Sequence, residues 1–216
     1  MSSSRFITPF DRLPDTLPIF PLPGALVMPG SDLPLNIFEP RYLNMVEDAL
    51  SSHRLLGMIQ PVDDGEDATP ALHKTGCAGR ITRYAETRDG RIELILSGVC
   101  RFDLGPEFPT TRGYRMISPV WAPYRADYDP PTEPNESEQQ YTRQVLRRYF
   151  QHHELEMDWD ILDRTPLIRL MHSLLSALPI SVAHKQDLLE VPDPLERLRL
   201  FVTLMETSLM DRRQTH

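Results

Sequence analysis

Few side chains in this sequence are spaced for chemistry. His152-His153-Glu154 with Glu156, Asp158 and Asp160 gathers metal-ligand types in one short span. Adjacent histidines on a helix point in different directions, however, and neither His-x-x-x-His nor His-Glu-x-x-His occurs, so no metal or other cofactor is expected. His172 and Ser173, with Asp163 upstream, have the residue types of a hydrolytic group. A triad is defined by geometry in space, which proximity along the chain does not supply, and a polar residue beside a helical core is the preferred reading of His172. Lys74 and Lys185 are the only lysines, and neither sits in a motif that would make it the base of a serine nucleophile. No Gly-x-x-x-x-Gly-Lys-Ser/Thr run is present to cradle nucleotide phosphates, so no catalytic residue is assigned. Glu39, Arg41 and Arg101 remain as charges that could grip a peptide main chain or carboxylate, against the simpler alternative of internal ion pairs or helix capping.

These residues are carried by elements whose pattern changes midway. Up to residue 124, short apolar runs at 17–22, 25–28, 33–37, 55–60, 77–84, 91–96, 99–104 and 114–124 are broken by proline and glycine, as in a barrel of short strands. Arg88-Asp89-Gly90 predicts the turn of a hairpin joining the Cys77 strand to Ile92, Leu94 and Leu96. Prolines 18, 21, 23, 29 and 34 suggest bent edge segments around the barrel rim. One helix interrupts the strands, with Pro40 in its first turn and Leu43, Val46 and Leu50 at helical spacing, placed to plug one end of the barrel. The stretch 125–135 is rich in proline and acid and reads as an exposed connector.

Residues 136–212 then read as a helical bundle. Tyr141, Val145, Tyr149 and Phe150 mark one segment, Leu167 to Leu178 a second, a third begins after Ser181, and Leu195 to Leu209 forms a fourth. Asn135 with Glu138 and Asp193 with Glu196 have capping-box spacing, and Pro166 and Pro194 occupy expected first positions. The expected fold is α+β: a barrel subdomain over 10–124, a connector over 125–135 and a bundle over 136–212.

The formal net charge of −8 weighs against nucleic-acid binding, which requires a cationic face. No apolar run approaches the roughly 20 residues that span a bilayer, and the first residues lack a signal-peptide pattern, so a soluble cytoplasmic chain without membrane contact is expected. Cys77 and Cys100 lie in strand-like runs and read as buried thiols, not as a disulfide or zinc pair.

Several motifs resemble one family. Leu17-Pro18-Ile19-Phe20-Pro21-Leu22, Val27-Met28-Pro29-Gly30 and Leu33-Pro34-Leu35-Asn36-Ile37-Phe38-Glu39-Pro40-Arg41-Tyr42 are similar to the opening signature of the amino-terminal domain of bacterial Lon proteases. Gly76-Cys77-Ala78-Gly79-Arg80-Ile81, Gly98-Val99-Cys100-Arg101-Phe102, Leu178-Pro179-Ile180-Ser181 and Asp193-Pro194-Leu195-Glu196-Arg197-Leu198 continue the resemblance in order, over roughly residues 17–210. It implies a PUA-like β-barrel followed by a helical bundle, and a free-standing substrate-recruiting module for protein quality control without the ATPase or the serine-lysine protease. The expected partner is unfolded polypeptide or another protein, held by exposed apolar surface and a groove between barrel and bundle. Met28, Leu33, Phe38 and Arg41 are the candidate contacts. Met28, flexible and next to a Pro-Gly turn, is the expected exposed residue, whereas Leu35 and Phe38 are expected in the core. The alternatives are a stand-alone peptidase or hydrolase, and an RNA-binding PUA-like protein.

Overall fold

A computed structural model of the chain describes residues 8–62, 70–108 and 110–211 and divides it into two compact units, Met1–Asp129 and Pro130–His216. The first unit contains β1 (Leu17–Pro21), β2 (Asp32–Ile37), α1 (Pro40–Leu50), β3 (Leu55–Ile59), β4 (Thr75–Glu86), β5 (Ile92–Asp103), β6 (Glu107–Phe108) and β7 (Arg115–Ile117). They form one mixed sheet in the order β2-β5-β4-β3-β1-β7-β6, with only β1 and β3 parallel. Val120, just beyond β7, exchanges main-chain hydrogen bonds of 2.9 and 3.1 Å with Asp103 at the end of β5. That bridge closes β5, β4, β3, β1 and β7 into a ring, the barrel that the short strands predict, because closure removes edges that would otherwise be unpaired. The ring is filled by Leu17, Ile19, Leu55, Ile59, Ala78, Phe102 and Ile117.

Local chemistry explains where the expected elements shift. The runs 91–96 and 99–104 are one continuous strand, β5, because Gly98 does not end it. A Cβ at Gly98 would meet the Met28 carbonyl oxygen at 1.9 Å, so glycine there admits the crossing loop at 28–31. Residues 25–28 are not a strand. Prolines 18 and 21 lie in β1, inside the sheet and not at its rim. They are tolerated because β1 changes neighbours midway: Pro18 is paired only with β7 and Pro21 only with β3, so neither proline lies between two ladders. The hairpin turn at 88–90 forms, with Gly90 at φ +79° supplying the left-handed turn residue and Thr87 donating its N–H to Arg91.

α1 starts at Pro40 and packs on β1 and β3 through Tyr42, Met45, Val46 and Ala49. Leu43 and Leu50 are only half-buried, so the buried stripe runs a residue away from the expected one.

The second unit holds α2 (Glu136–His152), α3 (Trp159–Arg164), α4 (Leu167–Ala177), α5 (Val182–Glu190) and α6 (Pro194–Asp211). Residue 212 of the expected bundle lies outside the described residues. The short α3 is additional to the expected four and is capped by Asp158, whose carboxylate accepts from the Asp160 and Ile161 N–H groups. Asn135 and Glu138 form the reciprocal cap of α2, and Asp193 accepts from Leu195 and Glu196 at α6. Pro166 precedes α4 as its N-cap instead of opening it, and the Glu133 carboxylate takes the Leu167 N–H at 2.8 Å.

Cys77 and Cys100 are free and buried. Loss of solvent around Cys100, reinforced by nearby Asp127, pushes its thiol up to about 12. The native protein at neutral pH is therefore expected to resist modification by a disulfide reagent at both cysteines, with both reacting once guanidinium unfolds it. Fast labelling of either thiol in the native state would contradict this packing.

Candidate functional site

The loop at 22–31 shows why irregular backbone need not be exposed. Ser31 accepts the Met28 N–H and donates its hydroxyl to the Met28 carbonyl, both at 2.9 Å. Gly30 donates to the Gly98 carbonyl, and Gly98 donates to Ser31. With its polar groups satisfied locally, the loop carries Leu26, Val27 and Met28 into the core, and Met28 is 0% exposed. Leu33 is also buried, on the inward face of β2. Met28 as the exposed contact is therefore corrected: it is core, and so is Leu33.

Phe38 is the reverse case. It follows β2, whose last residue Ile37 pairs with Ile92, and its ring is 62% exposed. The sheet ends there, so no neighbouring strand covers the side chain, and the Arg91 guanidinium lies 5.9 Å from the ring centroid. Leu35 is half-buried. Arg41 is exposed, bonded to Glu39 at 2.9 Å, and its guanidinium lies 4.5 Å from the Tyr42 ring centroid. Tyr42 in turn stacks on Phe20, with centroids 4.2 Å apart. The Glu39 side chain makes no capping bond at α1, so its role is the pair with Arg41.

Sequence reasoning did not single out Tyr84. It is 49% exposed, in the last part of β4, where residues 82–86 have β5 on one side and extend past the last residue paired to β3. Its signal in the sequence was an aromatic residue at a strand position just before a charged turn.

The remaining chemical candidates are structural. Arg101 is buried against Asp127, with its Nη2 2.7 Å and its Nε 3.0 Å from the carboxylate oxygens, and the Asp127 carboxylate also accepts the Arg101 N–H at 2.9 Å. Arg101 is thus committed to an internal pair. Asp127, inside the expected exposed connector, has a side chain only 6% exposed and follows Tyr124 in a 3-10 segment, Ala122–Tyr128. Lys74 pairs with Asp103 at 3.0 Å, and Tyr124 and Thr75 donate to the same carboxylate. Burial alone would raise the Asp103 carboxyl, but these donors together hold it below the ordinary range.

His172 is buried on α4, and its Nε2 accepts from the Arg197 guanidinium at 2.9 Å, since arginine has no acceptor. Lys185 is buried on α5, where loss of solvent lowers its pKa. His153 stacks on Tyr149 and bonds Ser208. Among the described residues no cluster of three or more His, Cys, Asp or Glu is arranged to hold a metal, and no helix is long and apolar enough to cross a membrane.

Among the exposed side chains of the first unit are Phe38 and Arg41, just past β2, and Tyr84 on β4, with Leu35 half-buried on β2. Exposed aromatic side chains and guanidinium groups suit apolar and main-chain contacts to another chain.

Comparison with known proteins bears on the family of the chain. A family model described as the ATP-dependent protease La (LON) substrate-binding domain matches residues 16–207. Lon protease of Haemophilus influenzae is 24% identical over 201 residues, 89% of this chain and 24% of its own length. Lon protease of Dictyoglomus thermophilum is 34% identical over 103 residues, 47% of this chain and 13% of its own. The chain thus spans a quarter or less of these curated relatives. A Lon N-terminal domain protein from Xanthomonas campestris superposes with a TM-score of 0.62 at 26% identity, covering 87% of this chain and 97% of that one. The N-terminal domain of the Mycobacterium avium complex Lon protease does so with a TM-score of 0.65, covering 88% and 98%; at 18% identity it speaks to fold alone.

Proposed function

We propose, from the premise that this chain belongs to the LON substrate-binding domain family, that it is a non-catalytic module that captures unfolded polypeptide or a partner protein through the exposed end of its β2-β5-β4 arm. The observation that carries this reading is Phe38, a large apolar residue left 62% exposed between the buried Ile37 and Tyr42. Singly exposed apolar residues are common on soluble proteins, but Phe38 shares its arm with Tyr84 and a half-buried Leu35. Arg41 contributes a guanidinium with donors to spare for a peptide carbonyl or carboxylate. The groups that an enzymatic reading would need, His172, Lys185, Lys74 and Arg101, are engaged in internal contacts.

Binding by one extended segment on a shallow surface is expected to be weak, with a dissociation constant in roughly the micromolar range, because ordering the segment offsets much of the burial. Fluorescence anisotropy with labelled, reduced and carboxymethylated α-lactalbumin tests it, since that modification keeps the probe unfolded and acidic. Phe38→Asp is expected to weaken binding by about 1–2 kcal/mol with the thermal melt unchanged, because the ring packs on little that folding requires. An unchanged affinity would remove Phe38 from the binding surface. The probe should also remain intact on prolonged incubation; cleavage that survives repurification would favour the hydrolase alternative.

A further inference from the structure

Beyond Ile81, whose N–H is taken by the Arg54 carbonyl at 2.8 Å, no strand covers the outer side of β4 among the described residues. The ladder with β5 fixes which main-chain groups face that open side. Thr87 bonds Arg91, so in the alternating antiparallel pattern Ala85 opposite Glu93 and Arg83 opposite Ile95 face β5, while Tyr84 and Glu86 direct their N–H and C=O groups outward. All five residues at 82–86 are exposed.

An open concavity of about 740 Å³ adjoins this edge, with Pro34, Ile95, Arg83, Ala85 and Arg54 on its wall. Neither Arg54 nor Arg83 has a carboxylate partner among the described residues; Arg12, Arg80 and Arg88 of the same unit also lack one, but none of these three lines the concavity. The two guanidinium groups outnumber the one carboxylate of the wall, Glu93, in a chain whose net charge is −8. Arg54 also holds a left-handed backbone, φ +61°, a conformation that glycine adopts without strain.

We propose that the outer edge of β4 takes an extended, acidic segment of an unfolded chain as an added strand, with Arg54 and Arg83 meeting its carboxylates. This rests on the recruiting role above and names how and what that site takes. The main chain of the segment satisfies the outward groups of Tyr84 and Glu86 whatever its sequence, and its charge supplies the preference. The Tyr84 ring, exposed on the same strand, offers an apolar contact to alternate side chains of the guest.

Glu86→Pro tests the pairing directly. It removes one outward N–H while leaving the β5 ladder intact, a substitution that edge strands accept. With the carboxymethylated α-lactalbumin probe, Glu86→Pro should weaken binding about tenfold more than Glu86→Ala, which changes the same side chain but keeps the N–H, at an unaltered melting temperature. Arg54→Gly should weaken binding while leaving the melting temperature unchanged or higher, a split that a merely structural arginine would not give. Equal affinities for Glu86→Pro and Glu86→Ala, with Phe38→Asp still weakened, would overturn strand addition and leave the recruiting role standing. A wild-type protein that does not bind the probe overturns both. Sedimentation showing a dimer that Glu86→Pro dissolves would assign the edge to a second copy of this chain and overturn the proposal as well.

Discussion

Met28→Asp is expected to abolish the cooperative thermal melt at neutral pH. Met28 is fully buried, and the loop that places it has its own polar groups bonded to Ser31 and Gly98, so no unpaired donor is left to receive a carboxylate. Burying an unpaired charge, together with the packing lost with the methionine side chain, costs on the order of 4–5 kcal/mol or more, comparable to the whole stability of many domains. The pH dependence has a definite sign. A carboxyl introduced there has a folded pKa above its unfolded value of about 3.9, so the penalty grows as pH rises above that value and is smallest in acid. Circular-dichroism melts from pH 4 to 8 check both statements, and Met28→Leu, a swap of similar volume, should cost less than about 1.5 kcal/mol. A stable Met28→Asp protein with weakened polypeptide binding would return Met28 to the surface and undo the correction.

The second large effect concerns Arg101. Its guanidinium and the Asp127 carboxylate are 3% and 6% exposed and are joined by side-chain hydrogen bonds from both Nε and Nη2, and the Arg101 guanidinium carbon lies 4.8 Å from the Tyr124 ring centroid. Arg101→Met removes one partner and leaves the other charged in a dry site, which is expected to destabilise the protein by about 3–5 kcal/mol. The double variant Arg101→Met with Asp127→Leu should recover much of that loss, because a buried pair contributes less to stability than the cost of stranding one charge. Urea titrations of the two singles and the double read the coupling directly. Additive losses would mean that the pair does not behave as a buried unit. Asp127 therefore ties the segment after β7 to β5, and limited proteolysis of the native protein should not cut at residue 127.

Period and punctuation made most of the fold legible: the hairpin at 88–90, the cap at Asn135, the Pro40 helix start and the switch to helical spacing all follow from side-chain direction and capping chemistry. The failures share a cause. Met28, Phe38 and the acidic run near Asp127 lie where backbone is irregular, and there exposure is decided by a distant residue that satisfies or covers the segment. Gly98 lets the Met28 loop approach β5, the sheet stops short of Phe38, and Arg101 draws Asp127 inward. None of these partners is near in sequence, so period carries no information about them. Tyr84 was hidden in a run that reads as an ordinary strand until the length of β3 is known.

Hydrogen–deuterium exchange of the wild-type chain, with and without a saturating amount of the carboxymethylated α-lactalbumin probe, locates the binding surface without any substitution. Added protection confined to residues 35–41 and 82–94 is the predicted result, since a guest strand on β4 shields the outward N–H groups of Tyr84 and Glu86 and slows exchange around Phe38. Saturable binding that protects only the helices between residues 136 and 211, or no segment of the arm, would contradict the account.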